Sequence, residues 1–199
     1  MGHALQNSAI ELARGDVRGD VRGDVRSKGA FDGADGRQGP QRADTTGAGC
    51  DDNAAVQYLK LIEAMNWRAM HQRLATNARY LDPTMVHYDR PAIDLAGPDA
   101  IVAFWRSSSE DSGTSNISYD YTHCFETAGF NVVRYEIAVE ASGHFFGLKQ
   151  DRVTVPGQVT SVIQILDGMI AEHRDYVDYA AADRYIAALK EQDERQAAE

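Results

Sequence analysis

Basic residues, cysteines and long apolar stretches are all scarce in this chain. Its 199 residues carry 20 Lys and Arg against 30 Asp and Glu, which gives a formal net charge of −10. Nucleic acids and anionic membrane surfaces both require a basic face on a protein partner, so this balance argues against either. No apolar run approaches the roughly 18 residues that a membrane-spanning helix needs. We therefore expect a cytoplasmic protein that has neither a nucleic acid nor a membrane as its partner.

The only cysteines, Cys50 and Cys124, are too few for a disulfide framework, and no CxxC pair is present. Cys50 lies in a segment whose composition predicts disorder, so we do not expect a bridge between the two. The sequence also lacks HExxH, HxH and a glycine-rich phosphate loop. These absences predict that the protein uses no metal and no nucleotide cofactor.

Residues 1–53 differ in composition from the rest of the chain. Ten of the 17 glycines lie there, and residues 14–26 read RGDVRGDVRGDVR. A period of four with alternating charge forms neither a helix face nor a strand face, and glycine raises the entropic cost of ordering. We predict a disordered low-complexity tail over 1–53. TGAGC at 46–50 resembles the end of a lipoprotein signal but lacks the preceding apolar segment, unless the true start codon lies elsewhere.

From residue 54 onward the hydrophobic pattern is that of a folded domain, which we place at 54–192, followed by a frayed terminus at 193–199. Apolar residues first recur at helical spacing and then, after residue 115, at every second position. Helices, a strand, a short helix and a run of strands predict an α+β domain with helices on one face of a curved antiparallel sheet. The predicted helices are 54–65, 67–81, one opening at 98 and 179–192; the predicted strands are 85–90, 115–129, 131–143, 145–155, 159–166 and 169–178.

Two motifs carry a resemblance to a known family. The opening pattern of helix, Asp-Pro, strand and GPDAI helix, together with DGMIAEHRDYVDY at 167–179, resembles the SnoaL-like branch of the NTF2-like superfamily. That superfamily includes polyketide cyclases, limonene-1,2-epoxide hydrolase and ketosteroid isomerase. The resemblance covers about 54–190. It implies a cone-shaped domain in which the sheet wraps around the N-terminal helices, a pocket for a small hydrophobic ligand, and a homodimer.

The last predicted strand contains the best candidate for a catalytic residue. Strand alternation places His173 and Asp175 on one face, and Arg174 and Asp178 on the other. The resemblance implies that Asp175 is a pocket carboxyl acting as general acid, with His173 beside it as a binding residue. Burial in an apolar cone is expected to raise the pKa of Asp175 towards working pH. A polar pair at the rim of the sheet is the structural alternative.

The same resemblance implies a second catalytic pair on a middle strand. Aligned without a gap, the pair falls on Glu136 and Ala138, whereas a shift of two residues gives Arg134 and Glu136. A shift of two leaves the facing of the strand unchanged, so alternation does not select a register. Arg134 as bridge and Glu136 as base form the catalytic alternative. A solvated strand face is the structural one.

Further candidates lie on the predicted strand 85–90 and on the helices. Met85, His87 and Asp89 would share one face of that strand, and the resemblance makes Asp89 a second acid or base and His87 a binding residue. It also implies that His87 and His173 lie on facing strands and share one proton-transfer network. The remaining predicted binding residues are aromatic and line the pocket or core: Trp67, Trp105 and Tyr121, with Tyr119 on the same strand face as Tyr121.

Two classes of function are compatible with these residues. One is an enzyme that performs cofactor-free acid/base chemistry on a small hydrophobic molecule, of the epoxide hydrolase, cyclase or isomerase type. The other is a non-catalytic ligand-binding or dimerisation module of the same fold. If Arg134 and Glu136 both face inward with Asp175, the arrangement favours the enzyme.

Overall fold

An open sheet of seven strands organises the domain, with strand order β1-β4-β5-β6-β7-β2-β3. The computed structural model describes residues 45–46 and 50–198. Neighbouring strands are antiparallel except for β2 and β7, which run parallel. The strands are β1 (Thr45–Thr46), β2 (Leu74–Asp82), β3 (Ile93–Ala96), β4 (Asn116–Thr127), β5 (Phe130–Ser142), β6 (Arg152–Leu166) and β7 (Met169–Val177).

Within the described residues, four α-helices and two 3-10 helices accompany the sheet, which confirms the predicted α+β class. Asn53 caps the first helix by accepting hydrogen bonds from the amides of Ala55 and Val56, as its position before the apolar run predicts. No helix of the described part of the chain is both long and apolar enough to cross a membrane. The α-helices are α1 (Ala54–Glu63), α2 (Trp67–Arg73), α3 (Pro98–Asp111) and α4 (Tyr179–Gln196); the 3-10 helices are Pro83–Tyr88 and Gly143–Phe146.

The second predicted helix is wrong over its C-terminal half. The helix ends at Arg73, and the chain continues as the strand β2, which pairs with β7 on one side and β3 on the other. Met70, Leu74 and Ala78 recur every four residues, which fits a helix. Ala78, Tyr80 and Asp82, however, are buried at every second position, as in a strand. Pairing with β3 and with the distant strand β7 therefore overrides the local helical pattern.

The predicted strand at 85–90 is also wrong, because residues 83–88 form a 3-10 helix. Pro83 stands in its first turn, and the Asp82 carboxylate accepts a hydrogen bond from the Thr84 amide. Asp89 then takes a left-handed conformation with φ of 54°. The alternation that was to place His87 and Asp89 on one strand face does not exist.

The predicted meander is confirmed as β4 to β7, with one difference in β6. The expected strand at 145–155 and the turn near Pro156 are replaced by a 3-10 helix and one continuous strand. Pro156 is accommodated because β6 pairs with β7 only from Val159 onward, so its nitrogen faces no partner strand. Gly157 allows close approach, since a Cβ there would lie 3.0 Å from Cγ2 of Ile137.

A disulfide joins Cys50 to Cys124, contrary to the expectation that the two would not pair. Both residues are buried, and their Cα atoms lie 5.7 Å apart. The described structure therefore includes Cys50 to Asn53, and also Thr45–Thr46, which pair with β4. The prediction gave both segments to the tail; its residues 1–44 and 47–49 lie outside the described residues. Disulfides are typical of oxidising compartments, so this bond does not favour the expected cytoplasmic location.

The C-terminal helix continues beyond its predicted end. It runs to Gln196, and the buried Asp193 accepts a hydrogen bond of 2.9 Å from the Lys149 amide. Ile186 packs with Leu148, Val153 and Val155 in a small cluster separate from the main core. This packing fixes α4 against β6, so the segment predicted to fray is held as far as Asp193.

Candidate active site

The polar residues of β7 lie on two opposite faces of the strand, as predicted. His173 and Asp175 point inward, with 1% and 2% of their surface exposed. Arg174 points the other way, and Tyr176 is exposed. Asp178 follows the strand and caps α4 by accepting a hydrogen bond from the Ala181 amide. One strand therefore supplies a buried carboxylate and a buried imidazole side by side.

Three side chains donate hydrogen bonds to the Asp175 carboxylate. The Ser161 hydroxyl lies 2.5 Å and His173 Nε2 lies 2.8 Å from Oδ1, while the Tyr80 hydroxyl lies 3.1 Å from Oδ2. Because the Ser161 hydroxyl donates its one hydrogen bond to Asp175, it must accept the 3.1 Å hydrogen bond from the Tyr135 hydroxyl. All five side chains are buried.

The network continues to the first helix. The Tyr58 hydroxyl on α1 lies 3.3 Å from Nδ1 of His173, so both nitrogens of the imidazole have a partner. The rings of Tyr58 and Tyr80 both contact the imidazole edge-on. His173 is thus fixed in position and orients its Nε2 towards Asp175.

The pKa of Asp175 lies below its ordinary value of 3.8, contrary to the sequence-based expectation. Burial by itself would raise it, but the charge of His173 and the three donated hydrogen bonds favour the ionised carboxylate more strongly. The pKa values of the nearby Tyr80, Tyr119 and Tyr135 are raised, first by burial and then by the charge of Asp175. Asp175 is therefore a carboxylate surrounded by neutral phenols.

Asp175 lines a cavity of about 360 Å³. Side chains of α3, α4 and the strands β2 to β7 surround it; many are apolar, among them Ile137 and Val159. Tyr119 also lines it, and within the described residues its hydroxyl has no hydrogen-bond partner. A molecule in the cavity would thus meet the buried carboxylates of Asp82 and Asp175, and a tyrosine whose hydroxyl has no hydrogen-bond partner in the described part of the chain, within a largely apolar surface.

The structure does not bring Arg134 and Glu136 to this cavity. Both are exposed on the outer face of β5, while Tyr135 and Ile137 of the same strand point inward. Arg134 lies 3.4 Å from the side chain of Gln158. Since either proposed register keeps the same face, neither alignment could have placed this pair beside Asp175.

Two other predicted residues lie outside the cavity. Asp89 is exposed. His87 sits on the 3-10 helix, 2.9 Å from the Asp183 carboxylate of α4, rather than opposite His173 on a strand. Neither residue lines the cavity. The predicted link between His87 and His173 is therefore wrong.

Only one of the three aromatic residues predicted to bind a ligand lines the cavity. Trp105 of α3 lines the cavity as expected. Tyr121 packs against Tyr119 and Tyr135 behind the cavity surface, and Trp67 borders a separate depression between α2 and α3. Of the nine predicted site residues, Asp175 and Trp105 line the cavity and His173 contacts Asp175.

Sequence reasoning missed Ser161, Tyr80, Tyr58 and Asp82. Ser161 could have been found, because it is the one polar residue on the inward face of β6 between Val159 and Ile163. Asp82, also on the cavity surface, accepts hydrogen bonds from Thr84 and Tyr179. Tyr80 and Asp82 were hidden by the assignment of their strand to a helix.

A sheet that wraps around helices and encloses a cavity beside a buried carboxylate defines an NTF2-like α+β domain. The family model of SnoaL-like polyketide cyclases matches residues 58–186, and the chain belongs to that family. No curated protein matches the sequence.

Solved structures share the fold at low sequence identity. A candidate SnoaL-like polyketide cyclase from Shewanella denitrificans is 16% identical, with a TM-score of 0.61 over 70% of this chain and 98% of its own. An LEH-like epoxide hydrolase of Mycobacterium tuberculosis is 13% identical, with a TM-score of 0.53 over 68% and 88%. A protein with a ketosteroid isomerase-like fold from Catenulispora acidiphila, solved in complex with trimethylamine, is 12% identical, with a TM-score of 0.52 over 66% and 89%. These similarities establish the fold alone.

Proposed function

We propose that this protein binds a small hydrophobic molecule in the cavity and moves a proton on it without a cofactor, with Asp175 as the general base. The observation that carries the proposal is an ionised carboxylate on the surface of a largely apolar cavity that is also lined by Tyr119, whose hydroxyl has no hydrogen-bond partner within the described residues. A carboxylate accepts a proton, and a neutral phenol donates a hydrogen bond to an oxygen that gains negative charge.

The roles follow from the contacts. Asp175 takes a proton from a carbon next to a carbonyl group, and Tyr119 donates a hydrogen bond to the carbonyl oxygen as it becomes an enolate. Tyr80, Ser161 and His173 hold the carboxylate in place. Because the same hydrogen bonds lower its pKa, Asp175 is a weak base, and the carbon acid must be an activated one.

Base catalysis of this kind fits cyclases and isomerases better than epoxide hydrolases. General-acid opening of an epoxide needs a protonated carboxyl, and the lowered pKa of Asp175 opposes that form. Membership of the SnoaL-like polyketide cyclase family supports the same choice, since aldol cyclisation begins with proton removal from carbon.

The second candidate function is ligand binding without turnover. It is favoured by one observation: Arg134 and Glu136 face outward, so the second acid/base pair expected of an enzyme of this fold is absent from the cavity. Under this alternative the buried network around Asp175 fixes the shape of the cavity and takes no proton from the ligand.

Proton exchange on a probe separates the two candidates. The probe is 1-phenylbutane-1,3-dione, a hydrophobic molecule with an activated carbon acid. Its carbon-bound protons should exchange with D2O faster in the presence of protein, as followed by NMR. Asp175→Asn should lower this acceleration by ~10²–10⁴-fold, and Glu136→Gln on the outer face of β5 should leave it unchanged. Binding of the probe with equal exchange in wild type and Asp175→Asn would favour the binding module.

A further inference from the structure

The charged residues that line the cavity all carry the same sign. Asp82 and Asp175 lie on its buried surface, and Asp111 and Asp178 lie on its more exposed part. Within the described part of the chain, no Lys, Arg or His side chain belongs to the lining.

These carboxylates are largely uncompensated by the protein. Asp175 pairs with His173, but among residues 50–198 none of the other three forms an ion pair. Asp82 is 1% exposed and is satisfied only by neutral donors, the Thr84 amide and hydroxyl and the Tyr179 hydroxyl. A buried carboxylate without a cation is costly, and a cation placed near it recovers that cost.

Aromatic side chains form a second, independent feature of the same cavity. They come from β2, α3, β4, β5, the second 3-10 helix and α4, and include Tyr80, Trp105, Tyr119, Tyr135, Phe146 and Tyr179. The faces of aromatic rings carry partial negative charge and attract quaternary and other substituted ammonium groups. Carboxylates and ring faces therefore favour the same sign of ligand charge.

We propose that the cavity is selective for a hydrophobic organic cation, a molecule that carries a substituted ammonium group on an apolar body. The proposal rests on the proposed function, in that the cavity is the ligand site, and adds the chemical class of the ligand. The apolar surface buries the body of such a molecule, and the aromatic rings together with Asp82 and Asp178 stabilise its charge. An anionic molecule of the same shape is repelled by every charged residue that lines the cavity.

Three probes of similar shape that differ in charge test this inference. They are 3-hydroxyphenyltrimethylammonium, the neutral 3-tert-butylphenol and the anionic 3-hydroxybenzenesulfonate. Binding is measured by calorimetry or NMR titration on the full chain. We expect the ammonium to bind at least about tenfold more tightly than the neutral probe, although the neutral probe gains more from the hydrophobic effect. The sulfonate is expected to bind most weakly.

Charge-removing variants locate the source of the preference. Asp82→Asn and Asp178→Asn should each reduce the ratio of ammonium to neutral affinity by about threefold or more and change the neutral affinity little. Asp178→Asn keeps the helix cap, since Asn caps as well as Asp; it therefore remains informative if Asp82→Asn fails to fold. Asp167→Asn in the exposed turn between β6 and β7 removes the same charge away from the cavity and should leave the ratio unchanged.

Several results would overturn the inference. Equal or tighter binding of the neutral probe would remove the cation preference but keep the cavity as a hydrophobic ligand site. A cation preference that Asp167→Asn reduces as much as the cavity variants would trace it to the overall negative charge. No binding of the ammonium at millimolar concentration would also reject it. None of these binding measurements depends on turnover. A failure of the proton-exchange experiment would therefore reject the catalytic role of Asp175 without rejecting the cation preference.

Discussion

His173 Nε2 lies 2.8 Å from Oδ1 of Asp175, two positions further along the same strand. Side chains two apart on a strand share a face, so β7 alone supplies both members of the pair. Ser161, opposite Asp175 in the register of β6 and β7, donates to the same oxygen at 2.5 Å. The carboxylate is thus oriented by the sheet itself before any ligand enters the cavity.

The stability that Asp175 provides should depend on pH in a defined direction. Its folded pKa lies below 3.8, so the unfolded state binds the proton first as pH falls. Wild type should therefore exceed Asp175→Asn in free energy of unfolding by ~1–3 kcal/mol near neutral pH, and the difference should shrink as pH falls below about 4. Urea unfolding of both proteins between about pH 7 and pH 3 measures it. A difference that widens on acidification would contradict the ionised assignment.

Buried tyrosines should make the protein sensitive to alkali. Burial raises the folded pKa values of Tyr58, Tyr80, Tyr119 and Tyr135 above their ordinary value of 10.0. The unfolded chain loses these protons first, so stability should fall above about pH 10, by ~1.4 kcal/mol per pH unit for each tyrosine. Unfolding free energies from urea titrations along the pH series give the slope. Tyr58→Phe should make it shallower, whereas Tyr185→Phe at an exposed position should not; an equal effect of both would contradict the prediction.

The last strand was predictable from sequence and β2 was not, for a physical reason. The alternation of EHRDYV and the following cap are local, so they fix the facing of His173 and Asp175 without knowledge of the rest. Met70, Leu74 and Ala78 fit helical spacing equally well. What makes residues 74–82 a strand is the parallel pairing with β7, about 90 residues further on. A local pattern contains no information about such a partner.

The same reason explains the incomplete prediction of the site. Ser161 and Tyr80 reach Asp175 because β6 and β2 flank β7, which only the register reveals. The sequence-based expectation that the pKa of Asp175 is raised was wrong for the same reason. Its burial could be inferred from the strand pattern, but the donors that outweigh burial come from other strands. The outward facing of Arg134 and Glu136 was left open by alternation alone.

We predict that the protein forms a homodimer through the outer surface of the sheet. Phe125, Phe130 and Leu166 are large apolar residues with 39%, 39% and 52% of their surface exposed, and all three stand near the β4–β5 and β6–β7 turns. Burying such residues against a second copy is favourable, and a two-fold dimer is the commonest symmetry. Light scattering at about 10 μM should give twice the chain mass, and Phe130→Glu with Leu166→Glu should halve it. A wild-type monomer at that concentration would exclude this dimer.

The disulfide should contribute a large share of the stability. Cys50 and Cys124 are separated by 74 positions, so the bond closes a long loop and restricts the unfolded chain. The loop-entropy relation gives roughly 4 kcal/mol for a loop of this length, and native cross-links typically contribute about 2–5 kcal/mol. Because Cys50 lies four residues before the start of α1 and Cys124 lies on β4, the bond also holds the start of α1 near the sheet. Urea unfolding in the presence of a strong reductant should show a loss of this size.

The variant Cys50→Ser with Cys124→Ser is the matched control. Its free energy of unfolding without reductant should equal that of the reduced wild type. Adding reductant should not lower it further, so the comparison separates loss of the disulfide from general effects of the reagent. The Asp175 network contains neither cysteine, so proton exchange on the diketone probe should persist in the variant at temperatures where it remains folded. Wild-type stability that is unchanged by reductant, with two titratable thiols in the native protein, would show that the bond does not form in solution.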